Sequence, residues 1–163
     1  MTKKIKKTNA MRSLDQEKVN YTCYEYDDSD NMIDGITVAN MIGKDPSLVF
    51  KTLVTTSNSH AHYVFVLPVD KELDLKKAAK VVEEKKIELI PVKDIEKTTG
   101  YIKGGCSPIG MKKRFVTIFH ESALQYKRII CNGGKVGIQI EIDPKLLENI
   151  CPCRFADICM EEQ

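Results

Sequence analysis

The sequence predicts a single α/β domain, a mixed β-sheet with helices on its faces. Three observations point there. The 163 residues, 42% of them hydrophobic, suit one domain with a sizeable core rather than two equal ones. Two β-branched apolar runs, SLVFKTLVTT (47–56) and AHYVFVLPV (61–69), are separated only by SNSH, the spacing of an antiparallel hairpin. Segments of helical period lie among further strand-like runs, but without the strict strand–helix alternation of an all-parallel sheet.

In chain order, TNAMRSLDQEKV (8–19) sets Met11 and Leu14 three apart, with Ala10 beside them and Val19 beyond, which predicts a short amphipathic helix. The aromatic YTCYEY (21–26) suits a strand, DDSDNMIDG (27–35) a loop, and ITVANMIG (36–43) a compact helix closed by Gly43. After the hairpin, Leu75, Ala78, Ala79 and Val82 keep a helical period within 73–86, and Asp74 is placed to cap it. IELIP (87–91) is a short strand, and VKDIEKTTG (92–100) makes two helical turns ended by Gly100. RFVTIFHE (114–121) is another strand, SALQY (122–126) a turn of helix or loop. RIICNGG and KVGIQIEI are two strands about a glycine turn, and Pro144 opens a helix over 144–150.

With 25 Lys and Arg against 23 Asp and Glu, the formal net charge is +2, which by itself implies no nucleic-acid partner. The basic residues nevertheless gather in KKIKK (3–7) and MKKR (111–114), runs that serve either as solvated faces or as phosphate contacts. No run approaches the ~18 apolar residues that span a bilayer. No apolar core follows the N-terminal lysines, so a cytoplasmic protein with no membrane partner is expected. Of six cysteines, Cys23, Cys106 and Cys131 stand singly in apolar or glycine-rich segments, while CPCRFADIC (151–159) crowds the other three. The crowded three lack paired CxxC spacing and would need a fourth ligand to hold zinc, so no metal site is expected there. Residues 151–163 read as a lightly packed C-terminal tail that the chemistry does not need.

Lys51 is the oddest charge in the chain. Alternation puts it on one strand face with Val49 and Leu53, where an ammonium costs desolvation unless it snorkels at an edge or opens on a pocket. GGCSPIG (104–110) combines three glycines, a hydroxyl and a stiffening proline, a pattern that allows close approach of something to the backbone. It is neither a phosphate-binding P-loop nor a dinucleotide fingerprint, since both glycine spacings are absent. CNGGK (131–135) is a second glycine turn in which Asn132 could offer an amide to a ligand. Cys106 and Cys131 have no assignable histidine or lysine partner that would make either a nucleophile.

Taken in order, KTNAMRSLD (7–15), VFKTLV (49–54), LDLKKAAK (73–80), TGYIKGGCSPIGMKKR (99–114) and GGKVGIQIEIDP (133–144) give a sequence that resembles the YbaK family of aminoacyl-tRNA deacylases. Within that family it resembles the subgroup acting on Cys-tRNA(Pro) and Cys-tRNA(Cys). The resemblance covers roughly 8–150 and implies a curved, mostly antiparallel mixed sheet flanked by helices, the fold of editing domains associated with prolyl-tRNA synthetase. It divides the chain into an editing domain at 1–150 and a cysteine-containing tail at 151–163.

The resemblance implies Lys51 as the catalytic residue. It implies Tyr24, Gly104, Gly105, Ser107, Pro108, Gly110, Asn132 and Gly133 as substrate-binding residues, while Lys112, Lys113 and Arg114 would meet tRNA backbone. Two departures stand out: Val136 replaces an expected arginine in GKVG, and a strand that usually ends in aspartate ends in Phe119 and His120. The implied activity is removal of cysteine from mischarged Cys-tRNA(Pro), the substrate's own thiol attacking its ester, with no cofactor or metal. Aminoacyl-tRNA is the implied partner, with prolyl-tRNA synthetase as a second. Two alternatives stand beside it: a deacylase for another small aminoacyl group such as Ala-tRNA(Pro), and a non-catalytic module that binds aminoacyl-tRNA or a nucleotide.

Overall fold

The computed structural model describes residues 6–27 and 34–161, so most of the loop expected at 27–35, and Lys3 and Lys4 of the first basic run, lie outside the described residues. Among the described residues, eight strands form two sheets. β1 (Thr22–Glu25), β6 (Ile129–Asn132) and β7 (Ile138–Ile142) make an antiparallel sheet in the order β1-β7-β6. β2 (Phe50–Ser57), β3 (His62–Pro68), β4 (Ile87–Leu89), β5 (Val116–His120) and β8 (Cys153–Ala156) make a mixed sheet in the order β4-β2-β3-β5-β8. The hairpin β2–β3 and the pair β2–β4 are antiparallel, whereas β3–β5 and β5–β8 are parallel. A single parallel bridge, Val49 to Ile130, joins the sheets.

The near-continuous apolar run of β3 reflects burial on both faces. Val64 and Val66 enter a core with Met11, Leu14, Phe50, Phe119 and Ile140, while Phe65 and Leu67 enter another with Ala78, Ala79 and Ile158. Three of the α-helices begin where side chains cap them. Thr8 accepts from the Met11 N–H at 3.1 Å to start α1 (Asn9–Gln16), and its hydroxyl donates to the Gly133 carbonyl, tying that helix to the β6–β7 turn. Asp34 caps α2 (Gly35–Met41), and Asp74 caps α3 (Leu75–Val81) through the N–H groups of Lys76 and Lys77. α4 (Ile95–Thr99) ends at Gly100, in the left-handed region at φ +86°.

Two helices differ from the reading of the sequence. α3 stops at Val81 rather than near Lys86: Glu83 takes φ +58°, and the Asn58 side chain accepts from the N–H groups of Lys85 and Lys86. A loop 27 residues away thus pulls the chain out of the helix to start β4. The segment opening at Pro144 is a 3-10 helix, Pro144–Asn149, with Leu147 wholly buried.

The light packing expected of residues 151–163 is not what the chain does. β8 is the outer strand of the five-stranded sheet, in parallel register with β5 from Thr117–Cys153 to His120–Ala156. Beyond it, the Asp74 N–H donates to Ile158 (2.8 Å), the Met160 N–H to Glu72 (2.9 Å), and the Lys77 ammonium to the Cys159 carbonyl (2.8 Å). Cys151, Cys153, Ile158 and Cys159 are all buried, so these thiols act as small apolar groups. Deleting 151–163 is therefore expected to cost much of the ~5–15 kcal/mol that holds a domain together, burial of Ile158 alone contributing about 2 kcal/mol. Thermal denaturation checks this: the truncated protein should melt at least 10 °C lower or fail to fold, and a melting temperature within about 2 °C of the full chain would contradict it.

Candidate active site

The two sheets part beyond the Val49–Ile130 bridge. On the side away from β3, β2 regains a strand neighbour only at Thr55, opposite Leu89. Among the described residues, no strand lies beside its outer edge between these points. The Val54 carbonyl, at the end of this gap, accepts from the Ile90 N–H (3.1 Å). Strand alternation turns the backbone of Thr52, two residues earlier, to the same edge. Among the described residues neither the N–H nor the C=O of Thr52 finds a partner there.

A cavity of about 250 Å³ fills this wedge. Lys51, Thr52, Lys103, Gly104, Asn132 and Gln139 are among its lining residues, with Tyr26, Cys106 and the start of α2 completing the wall. A second cavity of similar size adjoins it, sharing Thr52, Leu53, Lys103, Gly104 and Cys106, and is otherwise apolar.

Lys51 is half-buried and has no hydrogen bond or ion pair among the described residues. Burial lowers its pKa below the ordinary lysine value, opposed by the nearby Glu72 and Asp70 carboxylates. The Asn132 side chain holds the opposite wall. Its Nδ2 donates to the Gly104 carbonyl (2.8 Å), while its Oδ1 accepts from the Gly134 (2.7 Å) and Lys135 (3.2 Å) N–H groups. Asn132 thus positions the glycine loop. Two buried polar atoms of the lining have no partner among the described residues: the hydroxyl of Thr52 and the Oε1 of Gln139, a residue only 5% exposed. The Gln139 oxygen can only accept, whereas the Thr52 hydroxyl can both donate and accept. Burial pushes the Cys106 thiol up to about 11 and the Cys131 thiol to about 12, so both are held protonated at neutral pH.

The structure brings together only part of the predicted set. Lys51, Gly104 and Asn132 meet in the cleft. Gly105 and Gly133 sit behind its wall: a Cβ at Gly105 would lie 2.9 Å from the Val136 nitrogen, and one at Gly133 would lie 2.7 Å from the Ile138 side chain. Ser107 is wholly buried and its hydroxyl accepts from the Ile109 N–H (3.2 Å). Pro108 and Gly110 line a separate concavity against α1, together with Lys113 and Arg114. Lys112 lies beside Gly100, its N–H on the Thr99 carbonyl. Tyr24 donates its hydroxyl to Glu141 (2.7 Å) under the Lys44 ammonium, and Tyr26 is the aromatic residue that reaches the cleft. Reading of the sequence misses Thr52, Lys103 and Gln139. Gln139 leaves one signal, a polar residue in an isoleucine-alternating strand, but it looks solvated there.

Comparison with known proteins agrees with this architecture. The profile of an aminoacyl-tRNA editing domain matches residues 35–150. The chain is 47% identical, over 156 residues covering 96% of it and 95% of the relative, to an Enterococcus faecalis protein named "Putative Cys-tRNA(Pro)/Cys-tRNA(Cys) deacylase EbsC". The chain belongs to the aminoacyl-tRNA editing domain family. Two solved structures at 20% identity share the fold. One is "hypothetical protein APE2540", with TM-score 0.84 over 93% of this chain and 99% of that one. The other is "a putative trans-editing enzyme for prolyl tRNA synthetase", with TM-score 0.81 over 94% and 96%.

In this editing domain the glycines of the loop answer to different neighbours. Gly104 has φ +82° and faces the cleft, and a Cβ added there would lie 3.5 Å from the Val136 side chain, an ordinary contact. Gly110 has φ +74°, and its Cβ would meet the Asn9 carbonyl oxygen at 2.7 Å. Gly104→Ala is expected to cost about 1–2 kcal/mol, the strain of a left-handed alanine. Gly110→Ala adds a backbone clash and is expected to cost about 3 kcal/mol or more. Urea denaturation of the two variants measures the difference, and equal losses would contradict it.

Proposed function

We propose that this editing domain removes cysteine from mischarged Cys-tRNA(Pro), and also from Cys-tRNA(Cys), by letting the substrate's thiol do the cleavage. Deacylation of wrongly charged tRNA is the activity of the family. The observation that carries the finer reading is a half-buried, unpaired Lys51 opening on a cleft whose lining thiol, Cys106, is held protonated. Such a site offers positive charge and hydrogen bonding without an activated side-chain nucleophile, which suits a substrate that brings its own.

In this reading the aminoacyl ester occupies the polar lobe. The cysteine sulfur bonds to its own ester carbonyl carbon, and the bond from that carbon to the ribose oxygen breaks. The thiol proton ends on the departing hydroxyl, leaving free tRNA and a cyclic thiolactone. The Lys51 ammonium stabilises the negative charge that develops on the carbonyl oxygen, in a partly desolvated site where such charge is poorly screened. The Gly104 wall, held by Asn132, confines the acyl group so that sulfur and carbonyl meet. A second site of this kind is the physical answer to a synthetase that confuses side chains of similar size. Lys112, Lys113 and Arg114, all exposed, would meet tRNA backbone, and prolyl-tRNA synthetase would supply the tRNA identity that backbone contacts do not read.

Lys51→Ala is expected to lower the single-turnover rate on Cys-tRNA(Pro) at least 100-fold while circular dichroism stays unchanged, since loss of a charge that burial disfavours does not harm the core. Lys51→Arg is not expected to restore the rate, because the guanidinium fork differs in reach and shape. Ala- and Ser-charged tRNA should react far more slowly than Cys-tRNA. A folded Lys51→Ala protein with near wild-type rate, or equal rates on all three substrates, would overturn the reading.

Replacing Lys112 and Lys113 by alanine is expected to raise KM more than it lowers the saturated rate. For three phosphate contacts, log affinity should fall with log salt with a slope of about −2, and affinity independent of salt would count against these residues.

A further inference from the structure

The apolar lobe is unassigned by the reading above. It is walled by Leu53, Val54, Leu89, Ile90, Val92 and Ile95, with a volume of about 250 Å³. Leu89 and Val92 on its rim are 53% and 57% exposed, large apolar side chains left against water. Thr52 stands where the two lobes meet. Its backbone N–H and C=O face the open edge of β2, and its buried hydroxyl has no partner among the described residues. The unpaired edge runs only from Phe50 to Leu53, about 13 Å, too short for an added strand to pair with. It suits a flat, compact ligand that offers an adjacent acceptor and donor. Lys103 also lines both lobes; it is exposed, with no ion pair or hydrogen bond among the described residues.

We propose that this lobe seats the adenine of the tRNA's terminal adenosine, with Thr52 on its base edge and Lys103 on its 5′-phosphate. The proposal rests on the reading that the polar lobe takes the aminoacyl group. Adenine presents an acceptor (N1) beside a donor (N6), the complement of one residue's N–H and C=O on a strand edge. Its faces are apolar enough to lie between Leu53, Ile90, Val92 and Ile95. The ribose, which carries the ester, then falls at the shared wall, where the Thr52 hydroxyl has room for one of its hydroxyl groups. Lys103, at both mouths, is placed for the phosphate that enters the same nucleoside. One ligand would thus satisfy the open backbone edge, the orphaned hydroxyl, the exposed apolar rim and the unpaired cation.

Titration of the full-length protein with AMP, CMP and GMP, followed by amide NMR, tests this without any turnover. AMP is expected to shift the amides of Thr52, Val92 and Ile95 and to bind at least fivefold tighter than CMP or GMP. Val92→Asp, at an exposed rim position that leaves the core untouched, is expected to weaken AMP at least tenfold and to raise KM for Cys-tRNA more than it lowers kcat. Lys103→Ala is expected to weaken AMP but not adenosine. Absence of AMP binding at several millimolar, shifts confined to other residues, or equal binding of the three nucleotides would overturn the assignment. AMP bound at this lobe in a protein that deacylates nothing would instead sink the deacylase reading and leave the lobe standing.

Discussion

One parallel bridge, between Val49 and Ile130, governs the geometry of the cleft. Strands that meet at one residue pair and carry the usual right-handed twist must diverge beyond it. β2 and β6 do so, and among the described residues the edge of β2 away from β3 has no strand beside it until β4 reaches it at Thr55. The cleft is therefore not carved into a finished core. It is the space that two sheets cannot close, and the side chains and backbone along it are what the divergence leaves open. Lys51, Thr52 and Leu53 face it because they lie between the bridge and the β4 pairing.

The loop that forms the far wall is held by backbone contact more than by side chains. Gly105 lies against Lys135 and Val136, and Gly110 against Asn9 and Ala10, both at distances where no Cβ fits. The Asn132 amide then fixes the carbonyl of Gly104. Close backbone packing of this kind leaves few alternative conformations, so the wall is set before any substrate arrives. A site that works by confining a reactive group needs this property more than it needs reactive side chains.

Much of this is legible in the sequence, and the parts that are not share a cause. The hairpin, the Asp74 cap, the helix that starts after Thr8 and the β6–β7 pair follow from local pattern. Lys51 stands out because one charge in an apolar strand has few explanations. The end of α3 is hidden because Asn58, which terminates it, is distant in sequence. β8 is hidden because four residues show little alternation and its cysteines look like chemistry rather than packing. Gln139 is hidden because alternation gives a face, not its exposure, and only the other sheet makes that face an interior. Lys103 is lost among glycines beside a basic run. The glycine stretch does signal the close approach of something to its backbone. At Gly105 and Gly110 that something is the protein's own chain, and only Gly104 is left facing the cleft.

The position of β8 also fixes the order in which the molecule can be completed. The outer strand of the five-stranded sheet is supplied by Cys153–Ala156, late in the sequence, and the residues after it cross back to Leu73 and Asp74. During synthesis, β2, β3 and β5 exist while the last partner is still missing, and the edge of β5 stays bare until β8 has been made. The cleft, whose lining ends at Gln139, is encoded earlier than the strand that seals the sheet. Growing chains thus pass through a stage with every residue of the cleft already made and an unprotected parallel edge beside them, the stage at which a chaperone would matter most.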